Sequence, residues 1–449
     1  MQAIIIGAGK VGFSIAQVLA SEGHDVTVIE KDEERQRIVE ENLDVQTITA
    51  SGASPVVLEE AGVTQADLLV AVTEMDELNI VSCLMAKQYG VPKTVARVRN
   101  PDYVETTRKS EDFSLGVDVA INPERITAME IVKLLEVPEA LKVEYFADGQ
   151  IQLLEPKLTE EASVVRQKLM DINFKHNALI VAIQRQGQII IPRGDNTLEV
   201  GDTVFIVAQT EKMIDVEKLL GKKRASINKV MILGGGRIGY YLARLLEQKK
   251  LQVKIIEKDL SKCRAISKKL NTTLVLNGDG TDIDLLKEEG AGEVDLFVTA
   301  TGNDKLNLLV SLLVKHLGVK KTITVVRRSD YIPLVEEVLD VVVSPRALTT
   351  STILKLVWPQ EVLSVSFLSG FKAETLELVV PQRCRHNFKK LKDLKFPRGA
   401  ILGAIMRDGT AIVPVGDNMI KPHDRVMIFA VPEAIPRLND FFEVGRWGL

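Results

Sequence analysis

One glycine pattern occurs twice in this chain, with a spacing of 227 positions. The G-x-G-x-x-G pattern occupies residues 7–12 in the first copy and 234–239 in the second, and each copy follows a short apolar segment. A glutamate stands 18 positions after the last glycine of each copy, Glu30 in the first and Glu257 in the second. One such pattern alone is weak evidence, but two copies with matching flanks predict two Rossmann-like nucleotide-binding domains in one polypeptide.

Each glycine has a distinct physical role in such a loop. Gly7 allows the tight turn after the strand, Gly9 lets the backbone approach a diphosphate, and Gly12 lets the helix pack against the strand. The helix offers free N–H groups and a positive dipole end to an anion. Glu30 and Glu257 can accept hydrogen bonds from a ribose diol. Because a carboxylate repels a 2′-phosphate, NAD(H) or an adenine nucleotide is favoured over NADP. The alternative is a nucleotide-free domain whose glycines serve only the turn.

The repeat extends well beyond the glycines. Apolar strands alternate with helical segments through each half, which predicts two doubly wound parallel sheets of about six strands with helices on both faces. Each half then continues with an amphipathic helix and a β-rich pattern, whose hairpin turns carry Gln186-Gly187 and Asp408-Gly409. The predicted class is α/β, with each Rossmann-like domain followed by a small α+β domain. The predicted bounds are 1–123 and 228–345 for the Rossmann-like domains, and 138–221 and 361–445 for the small domains.

The composition of the chain excludes some classes of function. The 449 residues carry 57 Lys and Arg against 61 Asp and Glu, and only 5% are aromatic, so no surface for nucleic acid is expected. Three cysteines lie far apart with no Cys/His ligand spacing, which predicts neither a metal site nor a disulfide framework and fits a reducing cytoplasm. No apolar run approaches the ~18 residues that span a bilayer, so we expect a cytosolic protein, or one held at a membrane through a partner.

The pattern lacks the residues that a Rossmann-type dehydrogenase would need. Such an enzyme places an acid or base beside the nicotinamide. The two histidines of the Rossmann-like halves, His24 and His316, are not repeated between them, and His176, His386 and His423 fall in or near the small domains. No G-x-S-x-G motif, P-loop or paired catalytic carboxylates are evident. Duplicated binding residues without catalytic residues indicate a ligand sensor.

These residues resemble those of the TrkA family, which is built from two tandem RCK modules (regulator of K⁺ conductance). Each module of that family has a nucleotide-binding TrkA-N domain and a TrkA-C domain, and the resemblance covers essentially the whole length of this chain. Its most specific marks are the two glycine loops, the segment 96–104, and the Gly-Asp-Asn segments at 194–196 and 416–418.

The resemblance implies a regulator rather than an enzyme. Members of the family bind NAD(H) and ATP or ADP in the Rossmann clefts, assemble as homo-oligomers (dimers or tetramer rings), and alter K⁺ conduction through a TrkH/TrkG-type membrane subunit. The implied location is the cytoplasmic face of the inner membrane, reached through that partner. The alternatives are an RCK-type regulator of another cation channel or antiporter, an NAD-dependent oxidoreductase, and a scaffold with dead clefts.

The resemblance also implies which residues bind the cofactor. In the first half they are Gly7, Ala8, Gly9, Lys10, Val11, Gly12, Glu30, Ser51, Thr73, Glu74 and Arg97. In the second half they are Gly234, Gly235, Gly236, Arg237, Ile238, Gly239, Glu257, Asp279, Gly280, Ala300 and Thr301. No metal ligand and no catalytic residue is implied.

One position departs from the repeat. Val325 stands where the repeat places the counterpart of Arg97, whereas Arg327 matches Arg99. Since arginine is the side chain best shaped to bind phosphate, we expect weaker or different nucleotide selectivity at the second cleft. The alternative is that Arg327 or Lys305 compensates for the missing cation.

Overall fold

The computed structural model describes the chain except at residues 22, 101–102, 104–115, 137–142, 147–148, 173, 175–177, 222–226, 336–337, 355, 357–361, 369–372 and 444–449. His176 therefore lies outside the described residues, as do Asp102 and Val104 of the segment 96–104.

The first half begins with a six-stranded parallel sheet. Its strands are β1 Gln2–Ile6, β2 Asp25–Glu30, β3 Gln46–Thr49, β4 Leu68–Ala71, β5 Lys93–Arg97 and β6 Val119–Ile121. Its helices are α1 Lys10–Ser21, α2 Glu33–Asn42, α3 Pro55–Glu60, α4 Asp76–Gln88 and α5 Pro123–Glu136. The strands pair in the order β3-β2-β1-β4-β5-β6. The order reverses between β1 and β4, and this switch point is where such sheets bind ligands.

A small antiparallel domain follows each Rossmann-like sheet. In the first half its elements are β7 Val143–Phe146, β8 Ile151–Leu154, β9 Ala178–Arg185, β10 Gln188–Ile190, β11 Thr203–Gln209 and α6 Met213–Leu219. The strands pair in the order β10-β9-β11-β8-β7. Gln186 and Gly187 both have positive φ in the β9–β10 turn, as a two-residue type I′ hairpin requires.

The second half repeats this architecture. The strands of its parallel sheet are β12 Lys229–Leu233, β13 Gln252–Glu257, β14 Leu274–Asn277, β15 Leu296–Thr299, β16 Thr322–Val325 and β17 Val341–Val343. Its helices are α7 Arg237–Gln248, α8 Leu260–Ser267, α9 Ile283–Glu288, α10 Asp304–His316, α11 Ile332–Val335 and α12 Pro345–Leu354. The strand order is β14-β13-β12-β15-β16-β17, the same as in the first half.

The second small domain closes the described part of the chain. Its elements are β18 Val362–Leu368, β19 Ala373–Val379, β20 Ala400–Arg407, β21 Thr410–Ile412, β22 Arg425–Ala430 and α13 Ile435–Phe442. The strands pair in the order β18-β19-β22-β20-β21. Asp408 and Gly409 carry positive φ in the β20–β21 turn, so both predicted hairpins form.

The predicted fold class is confirmed, and two of the strands end earlier than the sequence segments that predict them. The run 66–73 yields only Leu68–Ala71, and the run 95–99 yields a strand that ends at Arg97. The reason is local, because the backbone N–H groups of Thr73 and Arg99 bond to the side chains of Asn79 and Asp76 instead of to a neighbouring strand.

The tertiary contacts divide the chain into two compact units. One unit contains residues 1–130 and 229–357, which are the two Rossmann-like domains, and the other contains residues 131–228 and 358–449. Within the first unit, α1 packs against α12. Within the second, the two small domains share a core that includes Phe146, Phe205 and Phe429. Among the described residues, no helix is both long and apolar enough to cross a membrane.

Candidate functional site

Both glycine loops connect the first strand of a sheet to the helix that follows it. Gly7 and Gly234 have φ of 99° and 106°, a backbone conformation that glycine adopts without steric cost. A Cβ on Gly12 would lie 1.9 Å from the carbonyl oxygen of Gly7, and a Cβ on Gly239 would lie 2.0 Å from that of Gly234. The fold itself therefore requires the first and last glycines of each loop.

The middle glycine of each loop has no such structural reason. A Cβ built on Gly9 or on Gly236 meets no protein atom within 4 Å, and neither residue has a left-handed φ. The open space lies where α1 and α7 begin, beside the free N–H groups of a helix N-terminus. A single methyl group on this glycine would begin to fill the open space. Such a space beside backbone N–H donors fits a phosphate group.

The rest of each loop is formed by residues of differing exposure. Ala8, Gly235 and Ile238 are buried, whereas Lys10 and Arg237 are exposed at the first position of their helices. Their ammonium and guanidinium groups add positive charge at the helix N-terminus, which favours an anionic ligand.

The two glutamates tie the loop to the turn after the second strand. Glu30, which is only 6% exposed, accepts from the backbone N–H groups of Ala8 at 2.6 Å and of Lys31 at 2.8 Å. Glu257 accepts from Gly235 N at 2.8 Å and is half-buried. Because a carboxylate has about four acceptor sites, these bonds leave capacity for a ribose hydroxyl. The structure thus gives both glutamates a structural role that the sequence pattern did not indicate.

A buried asparagine joins the ends of the fourth and fifth strands. Asn79 Oδ1 accepts from Thr73 N at 2.9 Å and from Thr73 Oγ1 at 2.7 Å, and Asn79 Nδ2 donates to Arg97 O at 2.8 Å. Asn307 makes the same bonds with Thr301 and with Val325 O. Sequence reasoning missed both asparagines as site residues, although Asp-x-Leu-Asn recurs in the two helices.

Arg97 is the cation at the edge of the first cleft. Its Nη1 donates to Thr73 O at 3.3 Å, and its Nε is buried without a hydrogen-bond partner. Burial lowers the pKa of the guanidinium, and the neighbouring charge of Arg99 lowers it further. A buried donor without a partner is costly, so an anionic group bound here would be stabilised. Glu74, on the same edge, is exposed.

The second cleft has a different edge. Asn307 bonds to Val325 O as Asn79 bonds to Arg97 O, so the structure places the apolar Val325 at the position of Arg97. Arg327 is exposed, and its Nη1 donates to Gly302 O at 3.2 Å. Together with Lys305 it lines a shallow depression of about 490 Å³. The alternative of compensation by Arg327 or Lys305 therefore stays open.

The loops after the third strands also differ between the halves. Ser51 is exposed in the first half, whereas the matching Asp279 forms an ion pair with Lys258 Nζ at 2.8 Å. The hydrogen bond from Lys258 lowers the pKa of Asp279 to about 2. A Cβ on Gly280 would lie 2.2 Å from the side chain of Leu233, so this glycine is required by packing. Ala300, in the fourth-strand edge, is buried.

The three cysteines and His386 have packing roles. Cys83, Cys263 and Cys384 are free and buried, and burial raises the pKa of Cys83 to about 12. His386 stacks on Phe441 at 3.9 Å between ring centroids. Within the described ranges, no three His, Cys, Asp or Glu residues come together as metal ligands would.

Comparison with known protein families shows which family this chain belongs to. The TrkA-N domain family matches residues 3–123 and 230–345, and the TrkA-C domain family matches residues 153–221 and 388–443. This chain belongs to the TrkA family. Several similar proteins are named Trk system potassium uptake protein TrkA, or its homolog. The Methanosarcina mazei homolog 1 is 38% identical over 99% of this chain and 100% of its own length. The Archaeoglobus fulgidus homolog is 38% identical over 98% and 100%, and the Haemophilus influenzae protein is 32% identical over 99% and 99%.

Solved structures share the same fold. The RCK domain of GsuK covers 98% of this chain and 95% of its own, with a TM-score of 0.61 and 18% identity. The GsuK channel bound to NAD covers 98% and 79%, with a TM-score of 0.60 and 18% identity. At this level of identity the likeness establishes the tandem RCK-type fold of the TrkA chain and nothing finer.

Proposed function

We propose that this chain is a nucleotide-sensing regulatory subunit of a Trk-type potassium uptake system. It binds NAD(H) and ATP or ADP in its two Rossmann clefts and gates a TrkH/TrkG-like membrane subunit without catalysing a reaction. The observation that carries the proposal is the contrast within each loop. The fold requires glycine at positions 7 and 12. Gly9 instead faces open space, and only a bound ligand would require that space to stay clear. The same contrast holds at Gly234, Gly239 and Gly236.

The family supports the physiological part of this proposal. Relatives that match the chain from end to end are named for potassium uptake. GsuK, which shares the fold, is a channel solved with NAD and with ADP.

The geometry suggests how a nucleotide would act. Its phosphates would lie at the N-terminus of α1, its ribose at Glu30, and its distal end near Arg97, so that one ligand spans both sides of the switch point. The same helix α1 packs against α12 of the second half. Ligands that differ in phosphate number or carry a nicotinamide would favour different arrangements of these helices. Only such a difference in affinity can shift a conformational equilibrium.

Substitution of the loop glycines tests nucleotide binding. Gly9→Val and Gly236→Val add side chains to open space, so each variant should keep the thermal stability of the parent and lose binding in its own cleft, measured by calorimetric titration with NADH, NAD⁺, ATP and ADP. Gly12→Ala is the matched contrast, because its Cβ would lie 1.9 Å from Gly7 O and the protein should be destabilised. Unchanged nucleotide binding by a Gly9→Val, Gly236→Val double variant would exclude the clefts as the binding sites.

A second experiment tests regulation. The purified chain is added to vesicles that contain a TrkH-type subunit, and K⁺ flux is measured with ATP, ADP, NADH or no nucleotide, while absorbance at 340 nm is followed. We expect flux that depends on which nucleotide is present and no loss of NADH. Flux that is the same with every nucleotide would contradict a sensor, and consumption of NADH with a cellular acceptor would indicate an oxidoreductase.

A further inference from the structure

The second half of the Rossmann unit contacts the helix that follows the first glycine loop. Arg346, in the first turn of α12, donates from Nη2 to Ser14 Oγ at 2.6 Å. Ser14 Oγ donates in turn to the carbonyl oxygen of Lys10 at 3.0 Å, and Lys10 is the first residue of α1. Ser14 lies four residues after the start of α1, which is about one helical turn or ~6 Å along the helix axis. The guanidinium therefore reaches the first part of the helix whose N-terminus faces the proposed phosphate site.

Another segment of the second half lies near the same loop. Asp330 belongs to the 3₁₀ helix Ser329–Tyr331, and its pKa is lowered mainly by the hydrogen bond from Arg328. The charge of Lys10 contributes to the same shift. The first phosphate loop is thus close to charged residues from two segments of the other half.

Arg346 is half-buried there without an acidic partner. Burial is the sole cause that lowers the pKa of its guanidinium, and among the described residues it forms no ion pair. The single hydrogen bond to Ser14 replaces only part of the hydration that a half-buried cation without an anion has lost. A phosphate group at the N-terminus of α1 would supply the missing negative charge.

The reciprocal contact at the second loop has the opposite charge. Tyr241 occupies in α7 the repeat position of Ser14 in α1, and its hydroxyl lies 3.5 Å from Asn122 Nδ2. Glu124 occupies the repeat position of Arg346 and is held by Arg99 through Nε at 2.7 Å and Nη2 at 2.6 Å. The start of α7 therefore faces the Glu124–Arg99 ion pair and the charge of Arg125, whereas the start of α1 faces an arginine that has no ion pair within the described residues.

We propose that Arg346 is a specificity-determining residue of the first cleft, which supplies positive charge from the second half to the phosphate groups of a nucleotide bound in the first. The inference rests on the proposed nucleotide binding and goes beyond it. On this inference the first cleft binds nucleotides with more phosphate groups more tightly, because Arg97 and Arg346 act together there. At the matching positions the second cleft has Val325 and Glu124, so neither Arg97 nor Arg346 has a counterpart at its own repeat position there.

The test separates the two clefts and then varies the phosphate number. In a Gly236→Val background, AMP, ADP and ATP are titrated calorimetrically into the parent, Arg346→Ala and Arg346→Lys. Arg346→Ala should weaken ATP binding about fivefold and ADP binding less, with AMP unchanged, because a partly solvated charge interaction has this size. The loss should shrink at 0.5 M KCl, since salt screens exposed charges. Arg346→Lys should keep most of the affinity, and Arg264→Ala, an exposed arginine on α8, is the control.

The outcomes distinguish the inference from the proposed function. If the parent binds none of the three nucleotides, the proposed function and the inference both fail. If the parent binds them and Arg346→Ala matches it for ATP, or loses AMP and ATP equally, the inference alone fails and Arg346 has a packing role. Because the readout is a ratio of affinities within one variant, a modest loss of folded protein does not affect the result.

Discussion

Replacement of Arg97 by valine copies into the first cleft the residue that the second cleft already has. The perturbation removes a guanidinium whose Nε is buried without a partner and whose Nη1 makes one long bond of 3.3 Å to Thr73 O. An unsatisfied buried donor costs about 1–3 kcal/mol, and a hydrogen bond contributes about 1 kcal/mol. These terms oppose each other, so stability without ligand should change by less than about 1 kcal/mol, or rise.

Binding should change far more than stability. Charge-assisted hydrogen bonds to a phosphate are worth about 1.5–3 kcal/mol, which corresponds to about a 10- to 100-fold loss of ATP affinity. The assay is calorimetric titration in the Gly236→Val background, combined with thermal unfolding with and without ATP. The expected pattern is an unchanged melting temperature without ligand and a smaller ATP-induced rise. Marked destabilisation without ligand together with unchanged ATP affinity would refute the reasoning and show that Arg97 is structural.

Three further predictions follow from single contacts. Asn79→Ala removes a fully buried side chain that makes four hydrogen bonds, so it should destabilise the first sheet by about 2–4 kcal/mol. The loss should be measurable as faster hydrogen exchange in β4 and β5. Faster exchange confined to other strands would contradict this prediction. Glu124→Gln leaves the charge of Arg99 uncompensated near the second loop. In a Gly9→Val background this substitution should strengthen ATP binding at the second cleft about two- to fivefold. An unchanged ratio of ATP affinity to AMP affinity would contradict this prediction. Asp279 has a folded pKa of about 2, below its ordinary value, so its contribution to stability is complete above about pH 4 and is lost as the pH falls through about 2. Lys258→Met removes the main cause and should raise the Asp279 pKa in an NMR titration, and an unmoved pKa would show that Thr281 suffices.

Much of the architecture could be predicted because it depends on periodic and local signals. The apolar runs before Gly7 and Gly234 are buried on both faces, as parallel strands between helix layers require. The turn residues Gly187 and Gly409 specify two-residue hairpins through their positive φ. The ends of the strands were not predictable in the same way, because they depend on which partner a backbone N–H finds in space.

The candidate site likewise contains features that the sequence predicts and features that it does not. The order of glycines and the distance to Glu30 are sequence properties, and they predict the position of the phosphate loop and the ribose acid. The role of Asn79 depends on its being brought beside Thr73 and Arg97, which are 6 and 18 residues away. Such a role has no sequence period, and only the repeat of the asparagine in the second half could have drawn attention to it.

The sequence alone predicts two Rossmann-like domains, each followed by a small domain, because strand and helix periodicity, turn chemistry and the internal repeat are encoded locally. It also showed that Val325 replaces Arg97 in the repeat. Only the tertiary structure decided that Arg346 would lie against Ser14 and that Glu124 would lie near Tyr241. Those residues are separated by more than a hundred positions and meet because helices of the two Rossmann-like domains pack together. Each half therefore places charged residues beside the first helix of the other.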